Sequence, residues 1–214
     1  MIITKVKTDE EIKEAIGPFK KIAVVGCGTC ATLCQTGGEE QVKAMVQKLT
    51  EMGKEVTGSI VIENPCDLRI DKRDLKRIDE ALTNADALLV MSCGAGVQTV
   101  AEASGKITLA ALDTIFIGEV ERIGKFYEMC RACGSCILNE TGGICPITRC
   151  AKHLLNGPCG GMHQGKCEVG TDKDCAWILI YNRLKEQGRL DLFTKFREPR
   201  DYSVKAGPAE VIWK

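Results

Sequence analysis

The chain is 214 residues long, room for one large domain or two small ones. Its 29 Lys and Arg residues balance 29 Asp and Glu, and 44% hydrophobic residues stand against 27% charged ones. That composition excludes a strongly basic nucleic-acid binder and an intrinsically disordered chain. No apolar run approaches the ~20 residues of a membrane-spanning helix. Residues 1–14 mix Lys, Asp and Glu without the apolar stretch of a secretory signal, so a cytoplasmic protein is expected.

The first half reads as α/β. Residues 21–26, Lys-Ile-Ala-Val-Val-Gly, form a short apolar run ending in glycine, the pattern of a buried parallel strand. Residues 39–52 carry Val42, Met45, Val46 and Leu49 at the i, i+3, i+4, i+7 positions of one helical face, with Gly53 just past the end. A strand over about 56–63 and a helix over 71–84, with Leu75, Ile78 and Leu82 on one face, come next. A strand over 87–91 leads into Ser92-Cys93-Gly94, then a helix over about 96–104 and a fourth strand over 113–117. This alternation predicts a Rossmann-like or flavodoxin-like parallel sheet, doubly wound.

Composition changes near Gly124, so two domains are expected, 1–124 and 125–214, the second small, cysteine-rich, loop-rich and metal-binding. Its glycines and prolines leave room for a short helix around 148–155. A longer one over 173–187 has Trp177, Ile180, Tyr181 and Leu184 on one face and Gly188 at its end. The tail, 197–214, is polar apart from an isolated Trp213, read as a candidate anchor for a partner.

Thirteen cysteines set the chemistry. In a reducing cytosol an odd count of thiols points to metal or cluster ligation rather than to disulfides. Five lie in the first half: Cys27, Cys30, Cys34, Cys66 and Cys93. The first three follow the first predicted strand, Cys66 the second and Cys93 the third. The carboxyl ends of parallel strands share one edge, where ligands bind, so five cysteines distant in sequence converge. Cys27-Gly-Thr-Cys30-Ala-Thr-Leu-Cys34 with a remote fourth thiolate is a [4Fe–4S] arrangement, Cys93 being favoured over Cys66 as the fourth ligand because a Gly-Ala-Gly turn flanks it. The same loop, Gly26-Cys-Gly28-Thr-Cys-Ala31, matches a dinucleotide fingerprint. That fingerprint expects an acidic residue about 20 positions on, and Glu63 lies well beyond it. A nucleotide-dependent dehydrogenase stands on this loop alone.

The other eight are Cys130, Cys133, Cys136, Cys145, Cys150, Cys159, Cys167 and Cys175. Cys130-x2-Cys133-x2-Cys136-x8-Cys145-Pro146 begins like a bacterial ferredoxin run but has a longer last gap. Eight thiolates suit two four-coordinate sites, and the spacing leaves their pairing open. One is a candidate for structural zinc. The two histidines, His153 and His163, fall in the same segment, so a Cys3His site is a further option. No P-loop, nucleophile elbow, zincin helix or catalytic triad accompanies the cysteines. Metal sites without a catalytic constellation point to an electron carrier.

One stretch is more specific. Asn156-Gly157-Pro158-Cys159-Gly160-Gly161 is preceded by Gly143-Ile144-Cys145-Pro146 and followed by Lys166-Cys167-Glu168 and Cys175-Ala176-Trp177. From about residue 130 to 200 the chain resembles the methylenetetrahydrofolate reductase C-terminal domain family, of which NGPCGG is the hallmark. With the α/β half in front, the whole chain is similar to the iron–sulfur small subunit of acetogen-type reductases, in the Wood-Ljungdahl branch of one-carbon metabolism. The resemblance implies two or three [4Fe–4S] sites, one of them a zinc candidate. It also implies a heteromeric complex with a MetF-like flavoprotein whose FMN exchanges electrons with the clusters while 5-methyltetrahydrofolate is formed. The resemblance leaves room for a further electron-donor subunit, and activity is expected only with the flavoprotein. The alternative is a zinc-stabilised docking subunit without a redox role.

Overall fold

The computed structural model describes residues 1–205 and 207–212. It comprises two compact units, Met1–Tyr127 and Glu128–Lys214. Trp213 lies outside the described residues.

The first unit opens with strand β1 (Ile2–Val6) and helix α1 (Asp9–Ile16), which the hydrophobic periodicity did not reveal. A capping box starts the helix: the Thr8 hydroxyl accepts from the Glu11 amide, and the Thr8 amide donates to the Glu11 carboxylate at 2.8 Å. Strand β2 (Lys21–Cys27) follows, then a single helical turn α2 (Cys30–Leu33), helix α3 (Glu39–Glu51) and strand β3 (Glu55–Ile62). The helix expected over 71–84 is three pieces: α4 (Leu68–Asp74), a 3-10 turn (Leu75–Ile78) and α5 (Asp79–Asn84). Ile78 leaves helical geometry, and Leu75 and Leu82 pack in the same buried layer. Strand β4 (Ala87–Met91), helix α6 (Gly94–Ser104) and strand β5 (Thr108–Ala110) complete the alternation.

The sheet has the order β3-β2-β4-β5, with every neighbouring pair parallel. Both faces are covered, as parallel sheets require. Ile22 and Val24 of β2 pack with Ile12, Ile16, Val42, Met45 and Leu49 on one face. Ala23 and Val25, pointing the other way by strand alternation, pack with Ile62, Leu75, Leu82 and Val100 on the other. The chain is therefore α/β, with a central parallel sheet.

The fourth parallel strand is β5, not the predicted 113–117 segment. Those residues belong to the long strand β6 (Leu112–Arg122), which runs antiparallel to β1 in a separate three-stranded sheet ordered β1-β6-β7, with β7 spanning Lys125–Cys130. An apolar strand pattern does not say which neighbour a strand will find, and here β1 takes it.

The second unit is mostly loop. Helix α7 (Pro146–Arg149) is shorter than expected and starts at proline, whose fixed φ suits a first helical position. A small antiparallel pair, β8 (Lys166–Cys167) and β9 (Gly170–Asp174), precedes helix α8 (Ala176–Glu186). Trp177, Ile180 and Leu184 of α8 are buried with Cys175, and Cys150, Met162, Leu192 and Phe193 pack around them. Tyr181 is 37% exposed, its ring edge-on to Phe193 at 5.4 Å.

Candidate metal centres

All thirteen cysteines are free thiols, and they fall into three groups. The first occupies the carboxyl edge of the parallel sheet. Cys27 ends β2, the central strand; Cys66 lies four residues beyond the end of β3 and Cys93 two beyond the end of β4, so they flank Cys27 from opposite sides. Burial pushes the Cys66 thiol up, and negative charge on Cys93, Cys27 and Cys30 pushes it further, so these four sulfurs share one electrostatic neighbourhood. Cys34 is buried and its thiol faces the Ile2 carbonyl at 3.7 Å, while the Ile2 amide donates to the Cys30 sulfur at 3.5 Å.

The glycine loop is folded tightly. The Cys27 amide donates to the Gly37 carbonyl and the Gly28 amide to the Ile62 carbonyl, both at 2.8 Å. A Cβ on Gly26 would meet Val42 at 2.5 Å and the Gly37 carbonyl at 2.6 Å, so the glycine serves close packing. These two amides at the start of the loop are therefore committed to the backbone. Cys93 is the N-cap residue of α6, yet its side chain makes no capping bond, which leaves the thiol free for another partner.

The second unit sorts its eight cysteines by position. Cys130, Cys133, Cys136 and Cys145 line an open cavity of about 310 Å³, together with Gly134, Ile137 and Arg200. Cys150, Cys159, Cys167 and Cys175 line a separate cavity of about 20 Å³, with Leu154, Met162, Glu168 and Trp177. The first four cysteines thus line one cavity and the last four the other. Neither histidine lines either cavity. His153 Nδ1 sits 2.6 Å from the Ile147 carbonyl, and His163 pairs backbone to backbone with Lys166.

The NGPCGG stretch now has a structural account. The Asn156 side chain bonds both backbone groups of Arg197. Gly157 lies flat against Trp177, where a Cβ would come within 2.3 Å of the indole. Cys159 faces the Glu168 carboxylate at 3.6 Å, Glu168 is paired with Lys152, and Gly161 packs against the end of the Glu168 side chain. Arg197 is nearly buried. It bonds the Glu140 carboxylate at 3.1 Å and lies over the Trp177 ring, 5.4 Å from its centroid. Lys195, then Arg197, hold the Glu140 carboxyl below its usual range. Residue typing by metal-ligand spacing passes over Asn156, Arg197, Glu140, Lys152 and Arg200, because none is a thiol. Their signal in the sequence is only that they flank cysteine motifs.

Among the described residues, no three His, Cys, Asp or Glu side chains stand close enough together to coordinate one ion as they are placed. The donor chemistry nonetheless suits soft metals, since the three groups offer thiols. The fold and these groups define a two-unit α/β protein with grouped free thiols. Residues 109–203 match the family described as methylene-tetrahydrofolate reductase C terminal, a span that begins in β5 and takes in β6 and β7 as well as the cysteine-rich segment. No curated protein and no solved structure matches the chain. No helix among the described residues is long and apolar enough to cross a membrane.

Proposed function

We propose that this chain is the electron-transferring iron–sulfur subunit of a methylenetetrahydrofolate reductase system, resembling subunits of the MetV type. In this reading it passes electrons to or from the flavin of a MetF-like catalytic subunit. The family match supports the enzyme system. The observation that carries the redox role is the grouping of thirteen free thiols into sets of five, four and four with no catalytic constellation beside them.

The residues divide the work. Cys27, Cys30 and Cys34, with Cys93 favoured over Cys66 as the fourth, would supply the ligands of one [4Fe–4S] cluster at the sheet edge. Cys130, Cys133, Cys136 and Cys145 supply those of a second in the open cavity. Such clusters, when bound, exchange single electrons. Arg200 beside the second set places positive charge next to an anionic site, and its bond to the Ser135 carbonyl fixes the loop between Cys133 and Cys136. Four thiolates around a cubane leave net negative charge, which a neighbouring guanidinium stabilises. FMN belongs to the partner.

The test is iron and acid-labile sulfide on anaerobically purified protein, with low-temperature EPR after dithionite reduction. About eight irons with matching sulfide and reduced-cluster signals are expected. Thiols carrying no sulfide and no signal would replace this reading with that of a docking subunit.

A further inference from the structure

Between α4, α5 and the end of α6 the first unit holds an open groove of about 410 Å³. Small-molecule sites occupy about 300–1,000 Å³. Leu75 and Leu82 of the buried layer line its apolar side. Three lysines, Lys72, Lys76 and Lys106, stand around it with a single carboxylate, Asp79.

The charge is uncompensated. Lys7, Lys21, Lys48 and Lys125 of the same unit each meet a carboxylate, but among the described residues Lys72, Lys76 and Lys106 form no ion pair. The chain as a whole is formally neutral, so this local excess of cations is a property of the groove. Lys106 is also held in place: its ammonium donates to the Thr83 and Ala85 carbonyls, both at 3.3 Å. An ammonium has three donors, so one N–H remains for a ligand. Thr83 adds an exposed hydroxyl.

The residue type narrows the ligand. A guanidinium fork suits a carboxylate, which it grips through two parallel bonds, and no arginine lines this groove. Ammonium groups act as point charges, the form in which lysine binds phosphate. Lys106 stands just before β5, at the amino ends of the parallel strands, whereas the cysteines of this unit follow the carboxyl ends. A ligand here leaves the thiols untouched.

We infer that Lys72, Lys76 and Lys106 bind the diphosphate group of a small molecule in this groove. The inference does not depend on the electron-transfer reading.

The experiment titrates the full chain, purified anaerobically, with inorganic pyrophosphate and with ADP by calorimetry at low ionic strength. Saturable binding at one site is expected. Lys72→Gln and Lys76→Gln should each weaken it about tenfold, the worth of one charge-assisted hydrogen bond. Both side chains are exposed, so these variants should melt as the wild type does without ligand. Asp79→Asn removes the one repelling charge and should tighten binding severalfold. Lys43→Gln, in the groove between α3 and β3, should bind as the wild type does. ADP binding more tightly than pyrophosphate would show that the organic part uses the apolar side, and equal affinities would show that the diphosphate alone is read; either result upholds the inference. Absence of binding by both probes, wild-type affinity in both lysine variants, or an equal loss in Lys43→Gln would overturn it. So would a triglutamate peptide that binds these lysines more tightly than pyrophosphate.

Discussion

Asn156 makes both of its side-chain hydrogen bonds with a single residue 41 positions away: its amide donates to the Arg197 carbonyl at 2.8 Å, and its oxygen accepts from the Arg197 amide at 2.8 Å. A side-chain amide has the same donor and acceptor as a peptide, so Asn156 pairs with Arg197 as a strand neighbour would. This holds the segment after α8 against the NGPCGG turn and brings the Arg197 guanidinium over Trp177.

Asn156→Ala should destabilise the second unit by about 2–4 kcal/mol, since two bonds are lost and the partly buried Arg197 backbone is left unpaired. Asn156→Asp keeps the acceptor and loses the donor, so it should fall between. Thermal unfolding checks the order. Equal melting of all three proteins would show that the pairing has no weight.

Gly157→Ala should cost about 1–3 kcal/mol, the usual range for overpacking. The added methyl would meet the Trp177 indole, whose nearest atoms lie 2.3 and 2.6 Å from the Cβ position and whose Nε1 is tied to the Leu154 carbonyl at 3.1 Å. The tryptophan cannot yield without breaking that bond. A blue-shifted or red-shifted tryptophan emission should accompany the loss of stability, and an unchanged spectrum with an unchanged melt would contradict the packing account.

Cys93→Ala should remove iron from the first unit and Cys66→Ala should leave it, because a cubane takes four thiolates and Cys27, Cys30 and Cys34 supply three of them. A drop of about four irons per chain is expected, one cubane. Wild-type iron in Cys93→Ala with loss in Cys66→Ala would make Cys66 the fourth ligand instead.

Asp71 is fully buried, and neither carboxylate oxygen has a hydrogen-bond partner. Burial, then the charges of Asp67 and Asp74, push its carboxyl up to about 7. The folded-state value thus lies above the unfolded one near 3.9. The native state holds a proton the unfolded chain has lost, and stability from this residue is complete below about pH 4 and falls as pH rises toward 7. The expected cost at higher pH is on the order of 2–4 kcal/mol. Asp71→Asn cannot ionise, so its melting advantage over the wild type should grow between about pH 5 and about pH 8. Parallel profiles would show that Asp71 does not titrate in this range.

Much of the architecture could be read from local pattern. The apolar run at β2 alternates between two buried faces, the face Val42, Met45 and Leu49 points into the core, and Trp177, Ile180 and Leu184 are buried on α8. These follow from periods of two and 3.6 residues, which depend only on neighbours in the chain. The strand after residue 111 is the counterexample. Its pattern was correct for a strand but silent about pairing, and β1, whose five residues carried too short a signal, became its neighbour.

The sequence by itself determined the parallel α/β half, the cysteine-rich half and the thiols on which the proposed metal chemistry rests, because residue type and spacing are local quantities. Tertiary structure alone decided which of the eight later cysteines line which of two cavities, how large each cavity is, and which non-thiol residues stand beside them. Those properties arise when loops of many residues close. Loop closure depends on packing such as Gly157 on Trp177 and Asn156 on Arg197, between positions that no short window of sequence contains.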